Sequence, residues 1–341
     1  MPANSQKKII KFVTRGSKAD EDTQFINQLP TGNPTLGSCI FTFNPLAEKY
    51  DWLVVIDDIA NIIPHRIEKL NCPKENTILV TTEPSSITRY GRAFAKQFQY
   101  LITNQPEEIL PHPNALRSQT GNVWFYGKSY NEIISMEVPK KDKIISTVCS
   151  SKQQGHTFHK MRFHFTQKLQ DVFKEMDRFG KGYRWIERKA DAIDRYKFHI
   201  CIENHIGKHM WTEKLADTFL GYAVPIYCGC PNVYDYFPKD SIIQIDITEP
   251  EKAVEIIKKV ISTEGEYERR LDAVVEARHR VIEKYNLFAM INEIVEKSPK
   301  NSNRKENKSI KIYNRRIMRL RYLPDLIRFF IFRITNLVKG L

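Results

Sequence analysis

The sequence predicts an α/β protein of two domains, each a largely parallel sheet wound with helices, with a basic amphipathic tail behind them. Three observations carry this. Short apolar runs of β type recur at Lys8–Val13, Trp52–Ile56, Thr77–Thr81, Tyr100–Thr103, Lys143–Cys149 and Val224–Tyr227, separated by segments that are helices or irregular loops. A length of 341 residues suits two domains of ordinary size. Past residue 300, apolar residues return at three-and-four spacing among arginines.

Composition narrows the class. At 41% hydrophobic and 27% charged residues the chain lies near globular averages, which argues against bulk disorder. Its six cysteines, Cys39, Cys72, Cys149, Cys201, Cys228 and Cys230, are scattered and read as reduced core residues, not a disulfide framework. Cys228-Gly-Cys230 spaces its sulfurs too closely for a zinc knuckle. Met1-Pro-Ala-Asn-Ser-Gln-Lys-Lys8 lacks the apolar stretch of a signal peptide, so a cytoplasmic location is expected. Net charge is +13, and residues 301–341 alone hold eleven Lys and Arg against Glu306 and Asp325, a difference of +9. A basic tail on a nearly balanced body points to a local anionic surface and away from nucleic acid.

The first domain is placed at residues 1–142, where four β-type runs suit a doubly wound sheet. Glu83 ends the run from Thr77 to Thr82; Pro84 stops the ladder, and Ser85 and Ser86 can cap a helix through Tyr90 and Phe94. Its carboxylate is then expected at a cleft edge, or else bonded to local backbone at a turn. Asp57-Asp58 reads as helix capping. Residues 104–140, rich in Pro, Asn, Gly and aromatics, read as a long connection.

The second domain is placed at residues 143–300. Phe198–Asn204, Thr212-Glu-Lys-Leu215 and Tyr222–Tyr227 make a strand, a helix and a buried strand, with Gly221 where the helix stops. A crossover of this kind sets the helix start beside the carboxyl ends of the strands, where open α/β sheets bind ligands. Glu213 and Lys214 should therefore face a crevice. The helix dipole and Lys214 suit a diphosphate, and Glu213 can accept hydrogen bonds from ribose hydroxyls. A Glu-Lys pair in a first helical turn is also an ordinary surface feature.

Tyr196–Asn204, then Thr212–Leu215, then Ala223–Pro231, running on through Phe237–Ile242, resembles in order and spacing the signature of the α-1,3/1,4-fucosyltransferases, glycosyltransferase family 10. In that family the signature forms the donor site for GDP-fucose. The resemblance implies a GT-B-like fold, two Rossmann-like domains facing a cleft. It implies an inverting transfer of fucose from GDP-fucose to a glycan acceptor such as a lipid-linked or lipopolysaccharide sugar. Asp57-Asp58 is not the Asp-x-Asp that metal-dependent transferases place at a nucleotide site, so no obligatory metal or other cofactor is expected. Glu83, in Thr81-Thr-Glu-Pro-Ser-Ser86, looks like the family's catalytic base. Arg162, after Thr147–Ser151 and a loop at Lys152–His159, looks like the residue that contacts the diphosphate, a task that suits the planar guanidinium fork. Asn204 matches a donor-side position, and Gly180-Lys-Gly182-Tyr183 resembles a glycine turn near the nucleotide. Met210 stands where many members carry an aromatic residue, with Trp211 beside it, which alters the stacking expected there. A transferase using another GDP- or UDP-sugar, and a non-catalytic glycan- or lipid-binding relative, are the competing readings.

Other chemistries fit less well. Gly127-Lys-Ser129 lacks the glycine at position 122 that a phosphate loop needs. His199, His205 and His209 read as solvent-facing or substrate-side residues. In the tail, Asn301–Lys308 reads as a polar hinge. Ile310, Tyr313, Ile317 and Leu320, then Ile327, Phe330, Ile334, Leu337 and Leu341, outline two amphipathic helices. No run reaches the ~20 apolar residues of a spanning helix. Residues 310–341 are therefore expected to lie on an anionic membrane, at its inner face. A tail packed back on the body, or a homodimer through it, is the alternative.

Overall fold

In the computed structural model, which describes residues 7–18, 24–121, 123–151, 158–299 and 310–338, a series of short strands opens the first unit. They are β1 (Lys8–Thr14), β2 (Thr35–Leu36), β3 (Cys39–Thr42), β4 (Trp52–Ile56), β5 (Ile67–Lys69), β6 (Thr77–Thr81), β7 (Tyr100–Thr103) and β8 (Ala115–Arg117). All but β5 join one sheet in the order β2-β3-β1-β4-β6-β7-β8, parallel throughout except for β2 against β3. Every residue of β4 and β6 is buried, as central strands covered on both sides require. Alternation sorts them: Val54, Ile56, Ile78 and Val80 enter one apolar layer, Leu53, Val55 and Leu79 the other.

The helix expected from Ser85 is absent. Ile87 and Thr88 both donate to the Pro84 carbonyl at 3.0 Å, closing a single turn. The helix α1 (Arg92–Ala95) begins only after Gly91, whose φ of +96° interrupts the backbone.

The second unit holds β9 (Lys143–Val148), β10 (Asp177–Phe179), β11 (Tyr196–Ile202), β12 (Val224–Cys228) and β13 (Ile243–Gln244), all parallel in the order β10-β9-β11-β12-β13. Its helices are α2 (Tyr130–Ser135), α3 (His159–Val172), α4 (Ala190–Ile193), α5 (Glu213–Leu220), α6 (Pro250–Ser262) and α7 (Glu266–His279). Local chemistry sets their starts. Ser129 and Glu132 form a reciprocal capping box on α2, Thr212 caps α5, and Pro250 opens α6.

The chain then returns to the first unit. The division falls at Gly121 and again at Leu287, not at residues 142 and 300 as expected. The cause is α8 (Leu287–Lys297), whose Leu287, Phe288, Met290 and Ile291 are buried against Phe12 and Phe41 of the first sheet. β14 (Lys311–Tyr313) pairs antiparallel with β5, placing Ile312 in the opposite apolar layer. α9 (Arg315–Arg321) is capped by Asn314, and α10 (Leu323–Val338) follows. Asp325 of α10 is buried and accepts from the main-chain nitrogen of Ala93 at 2.7 Å, at the start of α1. The beginning of the tail is therefore packed on the first unit. The expected hinge at Asn301–Lys308, most of the loop at Lys152–His159 and Leu341 lie outside the described residues.

Candidate functional site

Glu203 directly follows the central strand β11 and is 1% exposed. Its carboxylate accepts from the Thr212 main-chain nitrogen at 2.8 Å and the Thr212 hydroxyl at 2.7 Å, tying the loop after the strand to the cap of α5. Lys214 is thereby fixed in place. Its Nζ lies 3.4 Å from Glu203 and 3.0 Å from Glu213, and it donates to the Thr212 hydroxyl at 3.2 Å. Lys189, just before α4, continues the alternation, 2.7 Å from the wholly buried Asp217 and 3.9 Å from Glu213.

Burial and pairing pull these groups in opposite directions. Burial favours the neutral acid at Glu213, but Lys214 and then Lys189 overcome it and hold the carboxyl at about 2. At Asp217 burial wins over Lys189, and the carboxyl rises to about 6. Glu203, deeper and beside Glu213, is also raised. Lys214 resists its own burial because Glu203 and Glu213 flank it, so its ammonium is held charged.

The opposite wall comes from α3. Arg162 sits in its first turn, 7% exposed, and donates to the carbonyl of Ile202 at 3.3 Å. Among the described residues its Nε has no partner, nor does the buried Oδ1 of Asn204. The Asn204 carbonyl accepts from Phe158 at 3.2 Å, which ties this corner to the start of α3. Together these groups line a cavity of about 500 Å³. Arg162, Lys181, Lys189 and Lys214 face it against Glu187 and Glu213, and Trp185, 75% exposed, stands at its edge. A cavity with two orphaned buried polar atoms and an excess of cations fits an anion that also hydrogen-bonds, as a nucleoside diphosphate does.

Four of the expected residues, Arg162, Asn204, Glu213 and Lys214, thus meet in one site. Gly182 and Tyr183 do not line it; Gly180 and Lys181 do. Gly182 has φ +89°, and a Cβ there would come within 2.5 Å of the Ser151 hydroxyl, so it serves close backbone approach. The Tyr183 ring lies 3.5 Å from the Arg178 guanidinium, outside the cavity. Trp211 is core, 3% exposed among Tyr236, Phe237 and Tyr285. His199 is buried on β11, 2.8 Å from the Ser146 hydroxyl, and burial, then Lys189, bring its pKa down to about 3. Sequence reasoning missed Glu203 and Lys189. Glu203 had a signal, a charge directly after an apolar strand; Lys189 had none, because only folding brings it to α5.

Glu83 belongs to the first unit. It is exposed, and among the described residues the hydrogen bonds to it fall on its main chain: its nitrogen donates to the Tyr90 hydroxyl at 3.1 Å, and its carbonyl accepts from Gln105 at 3.0 Å. The Tyr90 hydroxyl in turn donates to Asp57, which also accepts from the nitrogen and hydroxyl of Thr82 at 2.8 and 2.6 Å. Partial desolvation and then Asp57 raise the Glu83 carboxyl above its ordinary value, with Arg315 opposing.

Residues 138–307 match the profile described as glycosyltransferase family 10 (fucosyltransferase), C-terminal. These residues carry a glycosyltransferase family 10 domain. The chain is 32% identical over 87 residues to the alpha-(1,3)-fucosyltransferase FucT of Helicobacter pylori, a stretch covering 25% of this chain and 18% of that one. It is 29% identical over 130 residues to the human 4-galactosyl-N-acetylglucosaminide 3-alpha-L-fucosyltransferase 9, covering 36% and 35%. The matched stretches thus span about a fifth to a third of those relatives. A crystal structure of an alpha1,3-fucosyltransferase with GDP-fucose superposes with a TM-score of 0.53 at 17% identity, over 90% of this chain and 95% of that one. The likeness is one of fold, and the fold is the GT-B-like α/β class expected from the sequence.

Proposed function

We propose that the chain is an inverting α-1,3-fucosyltransferase that moves fucose from GDP-fucose to a glycan. The observation that carries the donor half is the cavity of the second unit, where Arg162 and Lys214 converge beside the start of α5. Arg162 and Lys214 take the diphosphate, Asn204 and Glu213 the hydroxyl and amide groups around it. As the bond from the anomeric carbon to the diphosphate oxygen breaks, negative charge grows on GDP, and the two cations with the helix dipole stabilise it. Glu83 accepts the proton of the acceptor hydroxyl as its oxygen bonds the anomeric carbon from the opposite face. The raised carboxyl of Glu83 suits a base.

In this reading protein cations neutralise the leaving group, so no metal is obligatory. Turnover should survive EDTA, and a rate restored only by added divalent ion would overturn that part. Binding is tested on a panel of GDP-fucose, GDP-mannose and UDP-sugars. Preference for GDP-fucose, lost in Arg162→Ala and Lys214→Ala, supports the assignment; tight binding by both variants sinks it. Glu83→Gln should abolish transfer and spare GDP binding. Failure of the wild-type chain to transfer to any acceptor in a broad panel, which includes a galactosyl-N-acetylglucosaminide, would favour a binding protein.

The acceptor we assign is a cell-surface or lipopolysaccharide glycan, reached from the inner face of an anionic membrane. Supporting this, α10 exposes Ile327, Phe330, Ile331, Ile334 and Leu337 by 50% to 70%, with Arg328 and Arg333 beside them also exposed. Among the described residues no helix is long and apolar enough to cross a membrane. Sedimentation with vesicles of anionic against neutral phospholipid tests it. Binding to the anionic ones alone, lost in Phe330→Glu, is expected. A soluble homodimer that the same substitution splits would reassign the face.

A further inference from the structure

The tail enters the first unit beside Glu83. Arg315, the first residue of α9, donates from its main-chain nitrogen to Asp58 Oδ1 at 3.1 Å and from its Nε to Oδ2 at 3.3 Å. Its guanidinium lies 4.9 Å from the centre of the Tyr90 ring. Tyr90 is the residue whose hydroxyl takes the Glu83 main-chain nitrogen and donates to Asp57. Asp57 holds this corner with φ +62°, an uncommon conformation for a residue with a side chain, supported by its two bonds to Thr82. Among the described residues, the charged and titratable groups around Glu83 are Asp57 after β4, Tyr90 before α1 and Arg315 on α9, with Asp58 and Arg319 behind Arg315.

We propose that Arg315 is a positioning residue for Glu83, through which docking of the C-terminal helices keeps that carboxylate ionised and in place. This rests on the reading of Glu83 as the base. A base must be charged to accept a proton, yet Glu83 stands beside Asp57, a like charge at the same corner. Arg315 supplies the opposing cation, and Asp58 partly neutralises it. The tail thus does more than present an apolar face, since its first residue completes the electrostatics of the corner where Glu83 sits.

The test is kcat/KM against pH for the full chain with GDP-fucose and a galactosyl-N-acetylglucosaminide acceptor. Removing the cation in Arg315→Met should move the acid limb up by about 0.5 to 1 unit. Arg315→Lys should restore it, and Asp58→Asn, which leaves the cation unpaired, should move it down. A merely structural role predicts no such opposite displacements. Titration of the Glu83 carboxyl by 13C NMR, assigned with Glu83→Gln, reads the same displacements without an acceptor. Should Arg315→Met fail to fold, the Asp58→Asn displacement decides alone. Limbs and titrations that stay at the wild-type position, or move together, overturn the proposal. If the carboxyl titration moves as stated but Glu83→Gln still transfers fucose, it is the base reading that falls, and catalytic relevance falls with it.

Discussion

Lys214 shows how much one partly buried lysine depends on its neighbours. Held between Glu203 and Glu213, it stays charged although burial favours its neutral form. The cost of separating these partners is visible in acid. Because the Glu213 carboxyl is held at about 2 in the folded chain, below its ordinary 4.5, its pairing stabilises the fold fully above 4.5 and ceases to do so as pH falls toward 2. The melting temperature should drop across that window, and Glu213→Gln should flatten part of the drop; a slope unchanged by the substitution would refute the pairing. On the facing wall, Arg162→Ala should weaken GDP binding by about 10- to 100-fold, the worth of a charge-assisted hydrogen-bonding contact. Arg162→Lys should recover only part of it, because an ammonium cannot reproduce the fork. Isothermal titration with GDP measures both.

Elements matter through their approach as much as through their side chains. The turn carrying Gly182 passes so close to Ser151 that Gly182→Ala must shift the loop after β9, and φ +89° adds strain whatever room is made. A loss of about 1 to 3 kcal/mol is expected in denaturant melts, against little change for Tyr183→Phe, whose hydroxyl makes a long 3.4 Å contact to Gln167. Equal effects would mean the tyrosine, not the glycine, shapes the turn. α8 makes the converse point. Phe288 is fully buried, with ring centres 5.3 Å from Phe12 and 4.6 Å from Phe41. Phe288→Ala should destabilise by about 3 to 5 kcal/mol. Hydrogen exchange should locate the damage in β1 and β3, although the residue follows the second unit in the chain. Fast exchange confined to β11 and β12 would contradict the assignment of α8.

At the scale of the whole molecule, each unit is a parallel sheet with its own core, and the chain crosses from the first to the second at Gly121 and returns at Leu287. Sequence alone determined the interior strands β1, β4, β6 and β7 of the first sheet, while β2, β3 and β8 went unread. β4, β6 and β7 begin and end where their apolar runs do, because a strand buried on both faces must be apolar end to end. It also pointed to Glu213 and Lys214, since a strand, a cap and a helix start are local features written in adjacent residues, whereas Arg162 and Asn204 were expected from the family resemblance. Only tertiary structure decided the rest. Lys189 meets Asp217 and Glu213, α8 covers the first sheet, and Arg315 reaches Asp58, pairings between residues 28, 24 and 257 positions apart in the case of Lys189–Asp217, Lys189–Glu213 and Asp58–Arg315. No local propensity encodes such contacts. An amphipathic helix shows that it has an apolar face, but what covers that face depends on where the folded chain carries it.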